Sequence, residues 1–417
     1  MSTKTILIVG GGFGGIRTAL CLLQKLARYH LLSRYEIVLA DKNASHTYTP
    51  LLYEAACVPS GASSREEIQS LVSYLFSSVF FGRRITFLEK EVLRVDVAGK
   101  KIIFSTGSRA FDYLVLATGL EVNYFGIPGA SEYALPLKTH KDALAIRDSV
   151  IRLSEQSERI SLVVGGGGPT GVELASELKN WIPEADVVLL EGKERILSGF
   201  DERIQSLVLK RLSRLGVQVK TCFCVSSVEK DVVLSTNGAR VSSSLFLWTA
   251  GVGAGGFTER FPFLKTKGGC LAVDPFLRCF SLDSEQNVLD VVYALGDVSL
   301  FSDYHAKQTL PLLAQIALDE ARVVSSNIVE DIRLKEGFIH RASFSSFFPK
   351  KEYPYVLPVG GKFAVAKVGG IIFSGFFGWL MKGLVELRYL LSIFRARTAF
   401  QIWFKGLLIF LKDDKLG

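Results

Sequence analysis

Apolar residues fall along this chain in one plan that is used twice. The run Ile6–Val9 is continuous rather than alternating, the pattern of a strand covered on both faces. Glycines follow it, and then a helical stretch, Ile16–Leu26. From Ile160 to Val164 the order strand, glycines, helix returns and continues into a further strand, Val187–Leu190. Each copy closes on an apolar run ending in glycine, Tyr113–Gly119 in the first and Leu245–Gly251 in the second. A shorter return then brings a strand, Val291–Leu295, the Gly296-Asp297 turn and a helix from about Leu310 to Val329. Repetition of one unit predicts an α/β chain of two similar domains, the second inserted in the first. Residues 1–120 and 270–340 would make one domain and 121–269 the other, with 341–417 as a C-terminal segment.

The glycines give the repeated unit its chemistry. Gly10, Gly12 and Gly15, with Gly14 beside them, form G-x-G-x-x-G between a strand and a helix. In that context the first glycine makes a tight turn and the second admits a pyrophosphate to the backbone. The third lets the helix pack on the strand, and the helix N-terminus offers free N–H groups to the phosphates. Asp41, ending the strand Tyr35–Ala40, is placed to bind a ribose hydroxyl, with Lys42 next to it. In the second copy Gly166, Gly168 and Gly171 take the same places, with Thr170 in the loop and Glu191 as the acid twenty residues after Gly171. A carboxylate there binds a free 2′-hydroxyl and repels a 2′-phosphate, which favours NADH over NADPH, although Lys193 and Arg195 stand close by. Both domains are therefore expected to be Rossmann-like and dinucleotide-binding.

Composition narrows the class. The 417 residues are 48% hydrophobic and 22% charged, so the chain can bury sizeable cores. The formal charge is +8, but Gly361–Gly417 holds nine basic and three acidic residues and so carries most of it. Phe400, Trp403, Phe404, Leu407, Leu408 and Leu411 recur there at helical spacing, with Lys405 and Lys412 off the stripe. Lys382, Glu386 and Arg388 interrupt Ile371–Leu391, so an uninterrupted transmembrane span is not expected. A basic, aromatic tail of this kind reads as an amphipathic helical membrane anchor rather than a nucleic-acid surface. Met1–Thr5 lead directly into a strand without a cleavable leader, which places the expected anchor on the cytoplasmic face of the membrane. The six cysteines include no C-x-x-C, and the five histidines include no i, i+4 pair, so no metal is expected. Cys222 and Cys224 would share one face of a strand, as a buried pair of free thiols.

With these motifs the chain resembles the two-dinucleotide-binding-domain flavoproteins, and among them type II NADH:quinone oxidoreductases, over nearly its whole length. Ala117-Thr118-Gly119 and Tyr293–Asp297, with Gly296 before Asp297, resemble the other FAD motifs of that family. His46–Glu54 is similar to its segment beside the flavin, and Trp248–Val252, which includes Gly251, to its motif on the nicotinamide side. Ala314-Gln315-Ile316-Ala317 resembles the start of the helix lining the quinone site, with Asp319 where the family commonly has a second glutamine. Glu173 corresponds to a glutamate implicated in redox or proton coupling, although an acid favoured by the helix dipole explains it equally well. The resemblance implies resident FAD, NADH and a membrane quinone as substrates, a peripheral membrane position and no proton pumping. It names Glu173, Gln315 and Asp319 as candidates for the chemistry. A reductase of a protein carrier such as a ferredoxin, and a redox-sensing FAD- and NADH-binding protein, stay open as alternatives. So does a homodimer.

Overall fold

The computed structural model describes residues 3–59, 63–157, 159–266, 268–282, 284–301 and 313–413. Two compact units emerge. One comprises residues 1–46, 74–121 and 253–351, and the other residues 47–73, 122–252 and 352–417.

The first unit is built on an eight-stranded sheet. Its parallel centre runs Ser284–Ala294, Tyr113–Leu116, Lys4–Val9, Tyr35–Asp41 and Thr86–Glu89. Ile6, Leu7 and Ile8 are fully buried, as a strand covered on both faces requires, and each contributes roughly 1.5–3 kcal/mol by leaving water. The register sets Val9 beside both Ala40 and Leu116, and Leu116 beside Ala294. Four strands thus end on one edge, and the residues at or just past their ends, Gly10, Asp41, Ala117 and Gly296, gather there. In open parallel sheets this carboxyl edge is where ligands bind. The helix Phe13–Arg28 packs along Ala314–Lys335, with Ser325 Oγ reaching the Thr18 carbonyl at 3.3 Å. The latter helix begins at Ala314; Leu310, where the pattern started it, lies outside the described residues.

The second unit carries a five-stranded parallel sheet in the order Ala134–Pro136, Leu245–Trp248, Ser161–Gly165, Asp186–Leu190, Gln218–Lys220. Gly165 pairs with both Leu190 and Trp248, so the edge arrangement of the first unit recurs. The helix His140–Gln156 opens with a complete capping box between Thr139 and Asp142, worth about 1 kcal/mol. Beyond Glu352 come an antiparallel sheet, Tyr355–Pro358, Ala364–Val368 and Ile371–Gly375, and two helices, Phe376–Ile393 and Ala396–Asp413. No helix among the described residues is long and apolar enough to cross a membrane.

One expectation is corrected here. Cys222 and Cys224 are neither buried nor on a strand. They lie between Gln218–Lys220 and Val225–Glu229, where Cys222 has a φ of +54° that breaks the extended alternation.

Candidate functional site

Two cradles are built alike, one in each unit. The strands deliver Gly10 and Gly166 with φ of +103° and +112°, a conformation that L side chains rarely adopt. Five residues on, a Cβ at Gly15 would overlap the Gly10 carbonyl oxygen, and one at Gly171 would overlap that of Gly166. Gly12 and Gly168 stand as N-caps of Phe13–Arg28 and Pro169–Trp181, without a side-chain cap and with open space beside them. With no side-chain cap over it, the positive end of each helix lies open to the approach of an anion.

The acids complete each loop. Asp41 Oδ2 accepts from Gly11 N–H at 2.6 Å, and Glu191 Oε2 accepts from Gly167 N–H at 2.8 Å. The second oxygen of each also has a backbone partner, Asn43 N–H for Asp41 and Lys193 N–H for Glu191, both at 2.8 Å. A carboxylate has about four acceptor sites, so lone pairs remain for ribose hydroxyls.

In the first unit the structure gathers most of the candidate residues. Gly10, Asp41, Lys42, Thr118, Gly119 and Arg260 line one cavity of about 370 Å³. Thr118 Oγ1 is buried and has no partner, a state that costs about 1–3 kcal/mol unless a polar ligand relieves it. Lys42 pairs loosely with Glu121, at 3.5 Å and exposed to solvent. Ala117 joins the edge through its N–H to the Val9 carbonyl (2.8 Å). Gly14 lies against Leu295 and Ala317, so the helix Ala314–Lys335 presses on the loop.

Two buried groups near this edge were not singled out by the motifs. His46 donates its Nδ1 proton to the Gly11 carbonyl (3.0 Å), and burial lowers its pKa to about 4, which keeps the ring neutral. Glu320 Oε2 accepts from Gly296 N–H at 2.6 Å and so fixes the turn that presents Asp297. Burial, with Asp297 and Asp319 adding to it, raises the Glu320 carboxyl to about 8 against the opposing hydrogen bond. Its neighbour Asp319 turns the other way, to Arg322 and Lys350. Gln315 is the second residue of that helix, one turn before Asp319.

In the second unit Glu173 is the fifth residue of its helix, so it stands beyond the first turn, where the helix dipole would favour a charged acid. Desolvation raises its carboxyl to about 8 although part of its surface stays open. Its environment therefore favours the protonated form, opposite to what a dipole role would give. Thr170 is exposed on the first turn. Gly251 cannot carry a side chain, since a Cβ would strike the Phe125 ring and the Asn123 carbonyl.

A second cluster in this unit escaped the sequence. Lys382 pairs with buried Glu54, whose Oε1 also accepts from Tyr53 OH at 2.9 Å and whose Oε2 has no partner. Glu386, one turn along from Lys382, is buried too, and burial raises its carboxyl against the pull of that lysine. The rings of Tyr48 and Tyr389 stack beside it, with centroids 5.1 Å apart. Among the described residues no cluster has the donors to hold a metal ion.

Comparison with known proteins adds a family. The model of the pyridine nucleotide-disulphide oxidoreductases matches residues 4–321. An external alternative NAD(P)H-ubiquinone oxidoreductase of Arabidopsis thaliana mitochondria is 32% identical over 70% of this chain, which spans only 54% of that relative's length. A type II NADH:quinone oxidoreductase of Mycobacterium tuberculosis is 26% identical over 95% of this chain and 87% of its own. In fold, the chain is similar to NDH2 of Plasmodium falciparum solved with NADH, with a TM-score of 0.78, 20% identity, and coverage of 99% and 98%.

Proposed function

The chain belongs to the pyridine nucleotide-disulphide oxidoreductase family, and we propose that it is a flavin-dependent NADH:quinone oxidoreductase that does not pump protons. The observation that carries this reading is the doubled cradle, in which Asp41 and Glu191 close equivalent glycine loops. FAD would be held by Gly10, Gly12, Gly15, Asp41, Thr118, Gly119 and Asp297, and the unpartnered Thr118 hydroxyl fits a polar ligand in that cavity. When bound, FAD supplies the two-electron redox chemistry between a hydride donor and a quinone.

The chain's own residues bind, orient and hold protons. Glu191 takes the ribose hydroxyls of NADH, and its charge disfavours a 2′-phosphate. Glu173, protonated at neutral pH, can donate a hydrogen bond or a proton. Gln315 and Asp319 are assigned to the quinone, on the position they hold in the helix Ala314–Lys335.

Membrane quinone implies access from the lipid, and the C-terminal helices supply a surface for it. Phe377, Leu380, Leu384, Phe400, Phe404 and Leu408 are exposed there, with Arg388, Arg395 and Arg397 beside them. We assign this face to the membrane surface, in a peripheral position on its cytoplasmic side. The side chains of Leu411 and Lys412 lie outside the described residues.

Purified, flavin-loaded protein given NADH and a short-chain quinone tests the reading. Steady turnover is expected. Flavin that bleaches with NADH but passes nothing to quinone would refute the quinone assignment and favour a protein-carrier reductase.

A further inference from the structure

The helix Ala314–Lys335 buries Ile316, Ala317, Glu320, Ala321 and Val324, which fall on one face. Glu320 is an acid in the middle of this stripe and is only 3% exposed. A buried carboxyl is costly unless hydrogen bonds compensate it. Here Oε2 accepts from Gly296 N–H at 2.6 Å. One turn earlier on the same face, Ala317 lies against the same glycine. A Cβ built on Gly296 would stand 3.4 Å from Ala317 Cβ, and one built on Gly14 would stand 3.5 Å from it. The helix thus meets the Gly296 turn by packing at Ala317 and by a hydrogen bond at Glu320. Gly296 has φ of +73° and opens the short helical turn Gly296–Val298 that carries Asp297.

The neighbouring acid does something else. Asp319 pairs with Arg322 and Lys350, about 100° around the helix from Glu320, and Gln315 lies one turn before it on its own face. Whatever fixes the Glu320 face against Gly296 therefore also fixes where Gln315 and Asp319 stand. We propose that Glu320 is a positioning residue for both electron-transfer partners: it locks this helix onto the turn that presents Asp297, so that one hydrogen bond places the flavin and the quinone together. This rests on the assignment of Asp297 to FAD and of Gln315 and Asp319 to the quinone. Burial raises the Glu320 carboxyl to about 8, with Asp297 and Asp319 adding to it, so at neutral pH the acceptor is an uncharged acid. Glutamine offers the same acceptor at the same reach. Leucine fills the space with none and leaves Gly296 N–H unpaired.

The test compares full-length, flavin-loaded Glu320→Leu and Glu320→Gln with the wild type. Glu320→Leu is expected to hold FAD about tenfold more weakly, the consequence of orphaning a buried N–H. This is read without substrate, from the fluorescence of FAD released on dilution. Resaturated with FAD, the same variant should show a KM for a short-chain quinone raised roughly fivefold or more, the lower end of ordinary coupling between sites. Its KM for NADH should not move. Glu320→Gln should stay near the wild type in all three. The proposal is overturned if Glu320→Leu keeps its flavin affinity and quinone KM, if only one of the two changes, if the KM for NADH rises with them, or if Glu320→Gln is equally impaired. Where Glu320→Leu does not fold, Glu320→Asp, whose carboxyl stops one methylene short of Gly296, must show the paired change, and its absence there also overturns the proposal. Wild-type protein that binds no FAD or reduces no quinone would instead bring down the oxidoreductase reading, and this proposal with it, before any variant is made.

Discussion

Lys350 Nζ lies 2.7 Å from Asp319 Oδ2, and Arg322 holds the other oxygen of the same carboxylate. The acid that stands where a second glutamine resembles the family pattern is therefore matched by two cations. Its charge is local and compensated, so if the quinone binds here as proposed, Asp319 would act on it through the position of Lys350 and Arg322 as much as through the carboxylate. Asp319→Asn would remove both of these ion pairs. Ion pairs this close to solvent contribute about 0–1 kcal/mol, so the variant should fold with little loss of stability. Its KM for quinone should rise severalfold with the KM for NADH unchanged; steady-state kinetics in which neither moves would remove Asp319 from the quinone site.

The two cradles can be separated by equivalent substitutions. Gly15→Ala and Gly171→Ala each place a methyl group against a carbonyl oxygen, in a backbone contact with little room to relax. Overpacking of this kind typically destabilises by about 1–3 kcal/mol. Gly15→Ala should purify with little or no flavin. Gly171→Ala should stay yellow but lose most of its reactivity with NADH. Flavin absorbance and anaerobic titration with NADH read the two outcomes, and the reverse pattern would mean that the cradles had been assigned the wrong way round.

Glu173 predicts a pH dependence. Its folded pKa, about 8, lies above the ordinary carboxyl value because burial disfavours the charge. The native state therefore keeps a proton that the unfolded chain has already lost, and stability contributed by that proton declines as pH rises from the ordinary carboxyl range to about 8. Glu173→Gln should flatten this slope, measured as denaturation midpoints on either side of the window. Glu320 titrates over the same range, so part of the slope should persist. A slope unaltered by Glu173→Gln would show that Glu173 is not protonated in the native state.

The Glu54–Lys382 pair predicts an asymmetric cost. Removing one partner of a buried ion pair typically loses about 3–5 kcal/mol, because the other charge is left uncompensated. Lys382→Met should destabilise the protein strongly, and Glu54→Gln in the same chain should recover much of the loss. Thermal or denaturant unfolding of the single and double variants gives the cycle. Additive losses would mean that the two side chains do not interact in solution.

The parts legible from the chain are those whose causes are local. Gly10 and Gly15 are five residues apart and constrain each other directly, so strand, turn and helix can be read together. Glu54 and Lys382 are separated by 328 positions, and nothing near either one shows that the other will neutralise it. Nothing local in the chain marks Glu320, because its partner, Gly296 N–H, is contributed by a different strand end. Cys222 and Cys224 went wrong for a different reason. Alternation assumes extended backbone, and a φ of +54° at Cys222 removes that premise. The register of the parallel strands, which gathers Gly10, Asp41 and Ala117 on one edge, depends on the packed sheet and not on any single motif.

The membrane assignment needs a test gentler than truncation. Arg211 donates to the Val359 and Gly360 carbonyls, at 3.2 and 3.0 Å, and Val359 N–H donates to Phe363. Cutting the chain near Val359 would sever this sheet and damage the second unit, so loss of membrane binding would say little. Phe377, Leu380 and Leu384 lie along one side of the helix Phe376–Ile393 and are 74%, 44% and 49% exposed, whereas Trp379 and Leu390 face inward. Changing those three to serine removes exposed apolar area and leaves the packed side intact. Sedimentation with anionic vesicles should then fall sharply, while oxidation of NADH by a water-soluble quinone continues. If the triple variant still sediments with vesicles but no longer self-associates, this face is a subunit interface.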